Sequence, residues 1–441
     1  MWYEYLYRVL SIINYIAIGF FGIPLLLQFI EVFAAFFHKR IDFKKSDKQA
    51  RIAYVIPAYN ESSVIKSTVE DVIKNQKYPR DKFDVYVVAD NCTDNTADLA
   101  REAGAIVLIH NDPDPAHHMA AYPLKYGIDY ILKNDKDAEL VIHLDADNHI
   151  NPEYSQLMND AYQSGVDFAR PYEGAINGNQ NFFTKACAFF YAFDSRFGGR
   201  GKEVLGLSAR VNGSGATMSR RMLEETNGYD SVTISDDTEF TMNRLIEGRK
   251  AHFVEAAVVY EDMPSTGADT NARNTRIGKG MKILFKLKAK LMLKSFFNKG
   301  NFSALEALLS YCWLFIGLPM FLWIFFYYTY MFVFAAFAAN GAFELTLFSP
   351  EYFATTIKVY VWAFIILAVF AYFIFGIVIT CIFAFGEFKK FGAKSRKEFL
   401  PMVFIFPAYL FVYALSIGVH MNKKKGSGWK QIKRNVKEDG K

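Results

Sequence analysis

Cysteine is scarce in this chain and never paired in spacing. The four residues, Cys92, Cys187, Cys312 and Cys381, are scattered over 441 positions. That spread excludes a CxxC-type zinc site and a disulfide framework, and it fits a reducing compartment. A strong charge of one sign is also missing. The formal net charge is +5, which reads as affinity for lipid headgroups rather than for nucleic acid. Charge of either sign is wholly absent from four apolar runs, 9–30, 308–339, 359–386 and 400–419. About 20 residues cross a hydrocarbon core, so each run is long enough to span one. The first is long and lacks a small-residue cleavage site after it, so it is not expected to be a removed signal.

What is present between the first two runs is polar, about 45–300, the size of one soluble domain. The basic flanks HKRIDFKK and KKFGAKSRK place that domain on the cytosolic side of a plasma membrane. Three further spans carry the basic tail KKKGSGWKQIKR to the opposite side, whereas its charge calls for the cytosolic one. The expected organisation is an N-terminal span (1–44), a soluble domain (45–280), an amphipathic interface helix (281–303), transmembrane helices (304–421) and a basic tail (422–441). The interface helix is read from Lys282, Lys286, Lys290 and Lys294, which recur every four residues with Leu, Phe and Met between them.

Within the soluble domain strand-like and helix-like segments alternate. RIAYVI (51–56), FDVYVVA (83–89), AIVLI (105–109) and ELVIHL (139–144) read as buried strands. The helices begin at Ser62, near Thr93 (stopping at Gly104) and over YPLKYGIDYILK. Continuous apolar strands with helical crossovers predict an α/β fold, a Rossmann-like, mostly parallel sheet covered on both faces. Ligands of such sheets bind beyond the carboxyl ends of the strands. PAYNES, DNCTDNT and DADN follow three of those ends.

Asp145 and Asp147 flank Ala146, so on an extended chain both side chains leave one face. Carboxylates that close repel unless a cation joins them, and hard oxygen donors suit Mg²⁺ or Mn²⁺ bridging to a diphosphate. A D-x-D alone also occurs in ordinary loops. His143 and His149 stand on either side without the further Cys/His cluster that zinc needs. Asp90 closes its strand, where a carboxylate accepts bonds from a base N–H or a ribose; an ordinary helix-initiating turn with Asn91 reads equally. ISDDTEF (234–240) offers Asp236, Asp237 and Glu239, either a general base or a solvated acidic turn. NGSGATMSRR (212–221) has the small residues Gly213, Ser214 and Gly215, which let a ligand approach the backbone. RNTRIGKG (273–280) supplies Arg273, Arg276 and Lys279, cations for a diphosphate or a basic patch facing lipid.

In this order, over about 51–280, the motifs IPAYNE, VVADNCTDNTA, HLDADN, NGSGATMSR, SDDTEF and a cationic block resemble the family 2 glycosyltransferases, inverting enzymes of the GT-A fold. The membrane layout is similar to that of the cellulose, hyaluronan and poly-N-acetylglucosamine synthases. The resemblance implies a metal-dependent hexosyltransferase using a UDP-sugar and Mg²⁺ or Mn²⁺. It assigns Asp237 as base and Asp147 as metal ligand. Pro57, Tyr59, Glu61, Asp90, Asp145, Arg273, Arg276 and Lys279 fall to the nucleotide sugar, and Gly213, Ser214 and Gly215 lie near the acceptor. Two departures stand out. The family's Q-x-x-R-W appears as Asn274, Arg276 and Ile277 without the Trp, and K-G-(Y/A)-A-L as AAYPL at 120–124, where Lys125 or His118 stands nearby. The implied function is extension of a growing β-linked polysaccharide with secretion through the membrane helices. A single addition to a membrane lipid, diacylglycerol or polyprenyl phosphate, is the alternative, and an inactive scaffold or channel a third.

Overall fold

Ile52–Ala58 (β1) is buried at every residue but Pro57, and Phe83–Asp90 (β2) at every residue but Asp84. Burying each large apolar side chain contributes about 1.5–3 kcal/mol. These strands, with Ile106–His110 (β3) and Leu140–His143 (β4), pair in parallel as the apolar runs predict. Pro57 lies past the end of the β4 ladder, which stops at Val55 opposite His143, so its missing N–H leaves no bond unmade. The intervening helices are Ile65–Asn75 (α2), Thr96–Glu102 (α3) and Ala121–Asn134 (α4). α3 starts three residues after the expected cap because Asp94 accepts from the Thr96 N–H (3.0 Å) and holds the preceding turn.

The second half departs from a parallel plan. His149–Ile150 (β5), Phe168–Ala175 (β6), Thr217–Ser219 (β7) and His252–Glu261 (β8) complete an eight-stranded sheet, ordered β3-β2-β1-β4-β7-β6-β8-β5. β7 runs antiparallel to both β4 and β6, β5 is antiparallel to β8, and β6 and β8 are parallel. The sheet is therefore mixed α/β. The reversal at β7 has a functional consequence: its leading turn, 213–216, meets the carboxyl end of β4, on the edge where the carboxyl ends of β1, β2, β6 and β8 also lie.

The computed structural model describes residues 2–339 and 379–420, with scattered positions between 355 and 369. Trp2–Phe37 (α1) contains Tyr5–Phe37, the one helix among the described residues long and apolar enough to cross a membrane. Tyr154–Gln163 (α5), Phe182–Phe193 (α6), Arg200–Val204 (α7), Arg220–Glu225 (α8) and Asp236–Glu247 (α9) belong to the sheet domain. Gly267–Lys299 (α10) is one helix of 33 residues. The cationic block 273–280 thus lies within its first half, and the boundary expected at 280 falls inside it. Phe302–Ala339 (α11) contains Pro319. The run 359–386 lies mostly outside the described residues, and its end falls within Ile379–Glu387 (α12). Leu400–His420 (α13) packs along α6, with Tyr413 and Phe190 ring centroids 4.7 Å apart, and reaches α10, where Asn274 donates to Ser416 (3.4 Å). The tail 422–441 lies outside the described residues. α1 is fastened to the domain where buried Lys202 of α7 lies 3.5 Å from Glu31 and pairs with Glu306 of α11.

Candidate active site

The D-x-D segment is a turn and not the extended chain that the same-face argument assumes. The Asn148 N–H donates to the Asp145 carbonyl (3.1 Å), and the Asn148 side-chain oxygen accepts from the Asp145 N–H (2.9 Å). Asn148 is fully buried, so the turn is anchored from below. Thr68 Oγ1 donates to the Ala146 carbonyl (2.7 Å) and fixes the middle of it. Asp147 is buried, while the Asp145 side chain is 47% exposed. Asp145 is aimed by a residue of the glycine stretch, Ser214, whose Oγ donates to its Oδ2 at 2.6 Å.

Gly213 and Gly215 take positive φ, +98° and +74°. At Gly215 a Cβ would lie 2.5 Å from both Pro171 Cγ and the Tyr154 hydroxyl, so a side chain there is excluded on two counts. At Gly213 a Cβ would lie 3.5 Å from Asp237 Oδ2. The glycine turn is thus the bridge between D-x-D and the acidic pair at the start of α9.

Carboxylates at a helix N-terminus are ordinarily favoured in their charged form. Here burial pushes both members of the pair upward. Asp236, half-buried beside Asp237 and accepting from the Tyr229 hydroxyl (2.9 Å), is raised to about 7 by desolvation and by the neighbouring carboxylate. Asp237 is raised by burial, against the Thr238 N–H (2.6 Å) and the Arg276 guanidinium, which stabilise its ionised form. The preceding loop is pinned by Glu239, whose Oε2 accepts from the N–H of Val232 (3.1 Å) and Thr233 (3.0 Å).

The remaining expected residues gather at the β1 and β2 ends of the same edge. Asn60 Nδ2 donates to Thr93 Oγ1 (3.2 Å) and its Oδ1 accepts from the Thr93 N–H (2.8 Å), tying the loop of Pro57, Tyr59 and Glu61 to the loop after Asp90. Tyr59 is exposed and Glu61 buried, with its N–H donating to Thr96 Oγ1 (2.9 Å). Asp90 is raised by burial, opposed by His110, whose Nδ1 lies 2.7 Å from its carboxylate. Nothing in the spacing of residues singles out His110. The pairing comes from strand register, Asp90 opposite His110. Lys125 pairs with Asp129 (2.9 Å) and His118 Nε2 lies 3.0 Å from the Asp112 carbonyl, so each has a local partner.

On α10, Arg276 is exposed and faces Asp237, whereas Arg273 is turned inward, over the Tyr191 ring (4.5 Å) and 3.6 Å from Glu261. Lys279 is half-buried on the same helix. Asn274 is buried against α13. Glu261 and Glu173, which no sequence motif singles out, complete an acidic pocket. Burial and crowding by Glu173, Asp145 and Asp147 push Glu261 up to about 8, against Arg273. Such excess negative charge suits a divalent cation. Among the described residues no group of three or more acidic, His or Cys side chains forms a metal site by itself. A donor set completed by substrate phosphates is the usual Mg²⁺ arrangement.

Probable glycosyltransferase YdaM of Bacillus subtilis (strain 168) is 26% identical over 266 residues, 56% of this chain and 61% of that protein. The beta-monoglucosyldiacylglycerol synthase of Nostoc sp. (strain PCC 7120) is 25% identical over 199 residues, 43% of this chain and 40% of that one. The chain thus matches less than two thirds of either relative's length. A mannosyltransferase from Pyrobaculum calidifontis, solved with GDP-Man and Mn²⁺, aligns over 96% of this chain and 99% of its own at 15% identity and a TM-score of 0.48. Residues 50–280, more than half of the chain and all of the sheet with its acidic edge, match the model for glycosyltransferase-like family 2, and the chain belongs to that family.

Proposed function

We propose that the chain transfers a hexose from a UDP-sugar to an acceptor hydroxyl at a membrane, by a single inverting displacement. The observation that carries this reading is the glycine turn 213–215, which joins Asp145 through Ser214 and faces Asp237 through Gly213. Asp90 and the Pro57–Glu61 loop receive the nucleoside, with Tyr59 exposed beside it. Asp145, Arg276 and Lys279 hold the diphosphate. Asp237, kept ready to accept a proton by burial, removes it from the acceptor hydroxyl as that oxygen attacks the anomeric carbon and UDP departs. Gly213 and Gly215 leave room for the acceptor to approach. Asp147, with Asp145 beside it, would hold Mg²⁺ or Mn²⁺, which when bound neutralises charge on the leaving diphosphate. Alignment of donor and acceptor supplies much of the acceleration.

Two acceptors fit this site. A growing β-linked polysaccharide is the first, secreted beside α1 and α11. A membrane lipid such as diacylglycerol is the second, favoured by a specific observation: the Asn274 side chain is engaged by Ser416 of α13, and no Trp follows Arg276 to border a sugar chain. The matched relative named for glucosyldiacylglycerol synthesis supports the same reading. α1 anchors the chain, and α10 lays a lipid-facing stripe on the surface, with Ile283, Leu287, Leu291 and Phe297 exposed among Lys286, Lys290 and Lys294. The test is Asp237→Asn: transfer from UDP-sugars falls by about 10²–10⁴ while UDP binding is retained. Normal turnover in that variant refutes the assignment, and product size, one lipid-linked sugar or a ladder, separates the two acceptors.

A further inference from the structure

His143 ends β4, and both of its backbone groups are engaged. Its N–H donates to the Ala216 carbonyl (2.9 Å), and its carbonyl accepts from the Gly215 N–H (2.8 Å). The residue is therefore locked to the glycine turn. Its side chain is 8% exposed, with Nε2 3.5 Å from Asp145 Oδ1. The same ring lines, with Gly213, Tyr229, Phe240 and Asp237, a cavity of about 10 Å³, room for about one water. Among the described residues Nε2 has no hydrogen-bond partner.

We propose that His143 is a positioning residue of the transfer step, wedged between Asp145 on the donor side and Asp237 on the acceptor side so as to fix the separation of the two carboxylates. The proposal rests on the reading of Asp237 as base and Asp145 as donor contact. His149, the other histidine of the motif, faces Asp71 (3.3 Å).

The test compares the full-length protein with His143→Leu, His143→Gln and Asp237→Asn. UDP release is followed with UDP-glucose, UDP-galactose and UDP-N-acetylglucosamine in Mn²⁺, and binding of UDP with Mn²⁺ is measured beside it. Leucine fills the space without a polar atom, and glutamine puts an amide near the position of Nε2. The expected result is a kcat about 10–100-fold lower for His143→Leu, with KM and UDP affinity little changed and most of the rate recovered in His143→Gln. Wild-type turnover in His143→Leu overturns the proposal, as does a glutamine variant no better than leucine at equal thermal stability. If the leucine variant does not fold, His143→Asn, too short to reach, replaces it in the comparison, and equal rates for Asn and Gln overturn the proposal. Asp237→Asn keeps the two readings apart: if it is inactive while His143→Leu is normal, only the wedge is wrong, and if it is active, the underlying site assignment fails.

Discussion

Gly280 sets how closely α10 approaches the loop that carries the acidic pair. A Cβ at this position would lie 1.9 Å from Ser235 Oγ, 2.8 Å from Ser235 Cβ and 3.2 Å from Ile234 Cγ2. Rotation of the serine relieves the first contact but leaves the second. Restoring ordinary contact from 2.8 Å to at least 3.4 Å requires a shift of ~0.6 Å or more between helix and loop. Arg276 sits one turn before Gly280, and Asp237 two residues after Ser235, so the shift acts on the pair facing each other at the site. A displacement near 1 Å costs up to about 10²-fold in rate. Gly280→Ala is therefore expected to lower kcat about 10–100-fold and, because Arg276 and Lys279 move with the helix, to weaken UDP binding as well. Alanine also favours the helix by about 1 kcal/mol over glycine, which offsets part of the steric cost, so thermal stability moves far less than activity. The assay is UDP release at saturating donor, with thermal unfolding measured in parallel. The double variant Gly280→Ala, Ser235→Gly removes the obstructing Cβ and should recover most of the rate. Wild-type activity in Gly280→Ala, or no recovery in the double variant, refutes the reasoning.

Asp237 must be ionised to act as base, and burial raises it, so kcat/KM falls as pH drops through a limb above the ordinary carboxylate range near about 4. Arg276→Gln removes the charge that favours ionisation and moves that limb higher; a pH–rate profile at the ordinary carboxylate value refutes this. Asp236, raised to about 7, has a stability effect of the opposite sign: its contribution is full below its unfolded value near about 4 and is lost as pH rises through 7, so Asp236→Asn flattens the dependence of thermal stability on pH between about 4 and 7. Ser214→Ala removes a 2.6 Å hydrogen bond to a carboxylate, about 1.5–3 kcal/mol, and should weaken donor binding roughly ten- to a hundredfold in titrations with UDP and Mn²⁺. Spin labels at Leu287 and Leu291 of the protein in nanodiscs should collide more with oxygen than with a water-soluble nickel reagent, the reverse of a label at Asp98; water-like exposure at both leucines removes α10 from the bilayer surface.

The strands β1 to β4 were legible because each is an apolar run bounded by turn residues, and a parallel sheet buries both of its faces. The second half was not. β5 and β7 are two and three residues long, too short for a periodic signal, and their direction is a property of pairing partners far away in the chain. The 281–299 lysine repeat was visible, but its union with 267–280 was not, and packing against Ser235 shows why glycine is kept at 280 inside a helix.

Residue type and local periodicity are enough to set which chemical groups are available, the order in which the chain presents them, and the long apolar helix Tyr5–Phe37. Tertiary structure alone decided which groups meet. Ser214 reaches Asp145 from 69 residues away, His110 is set beside Asp90 by register, Glu261 is crowded toward neutrality by carboxylates from other strands, and His143 lies between the two acidic sites. Each of these depends on burial and on distance through space, and neither is written in the spacing of residues along a chain.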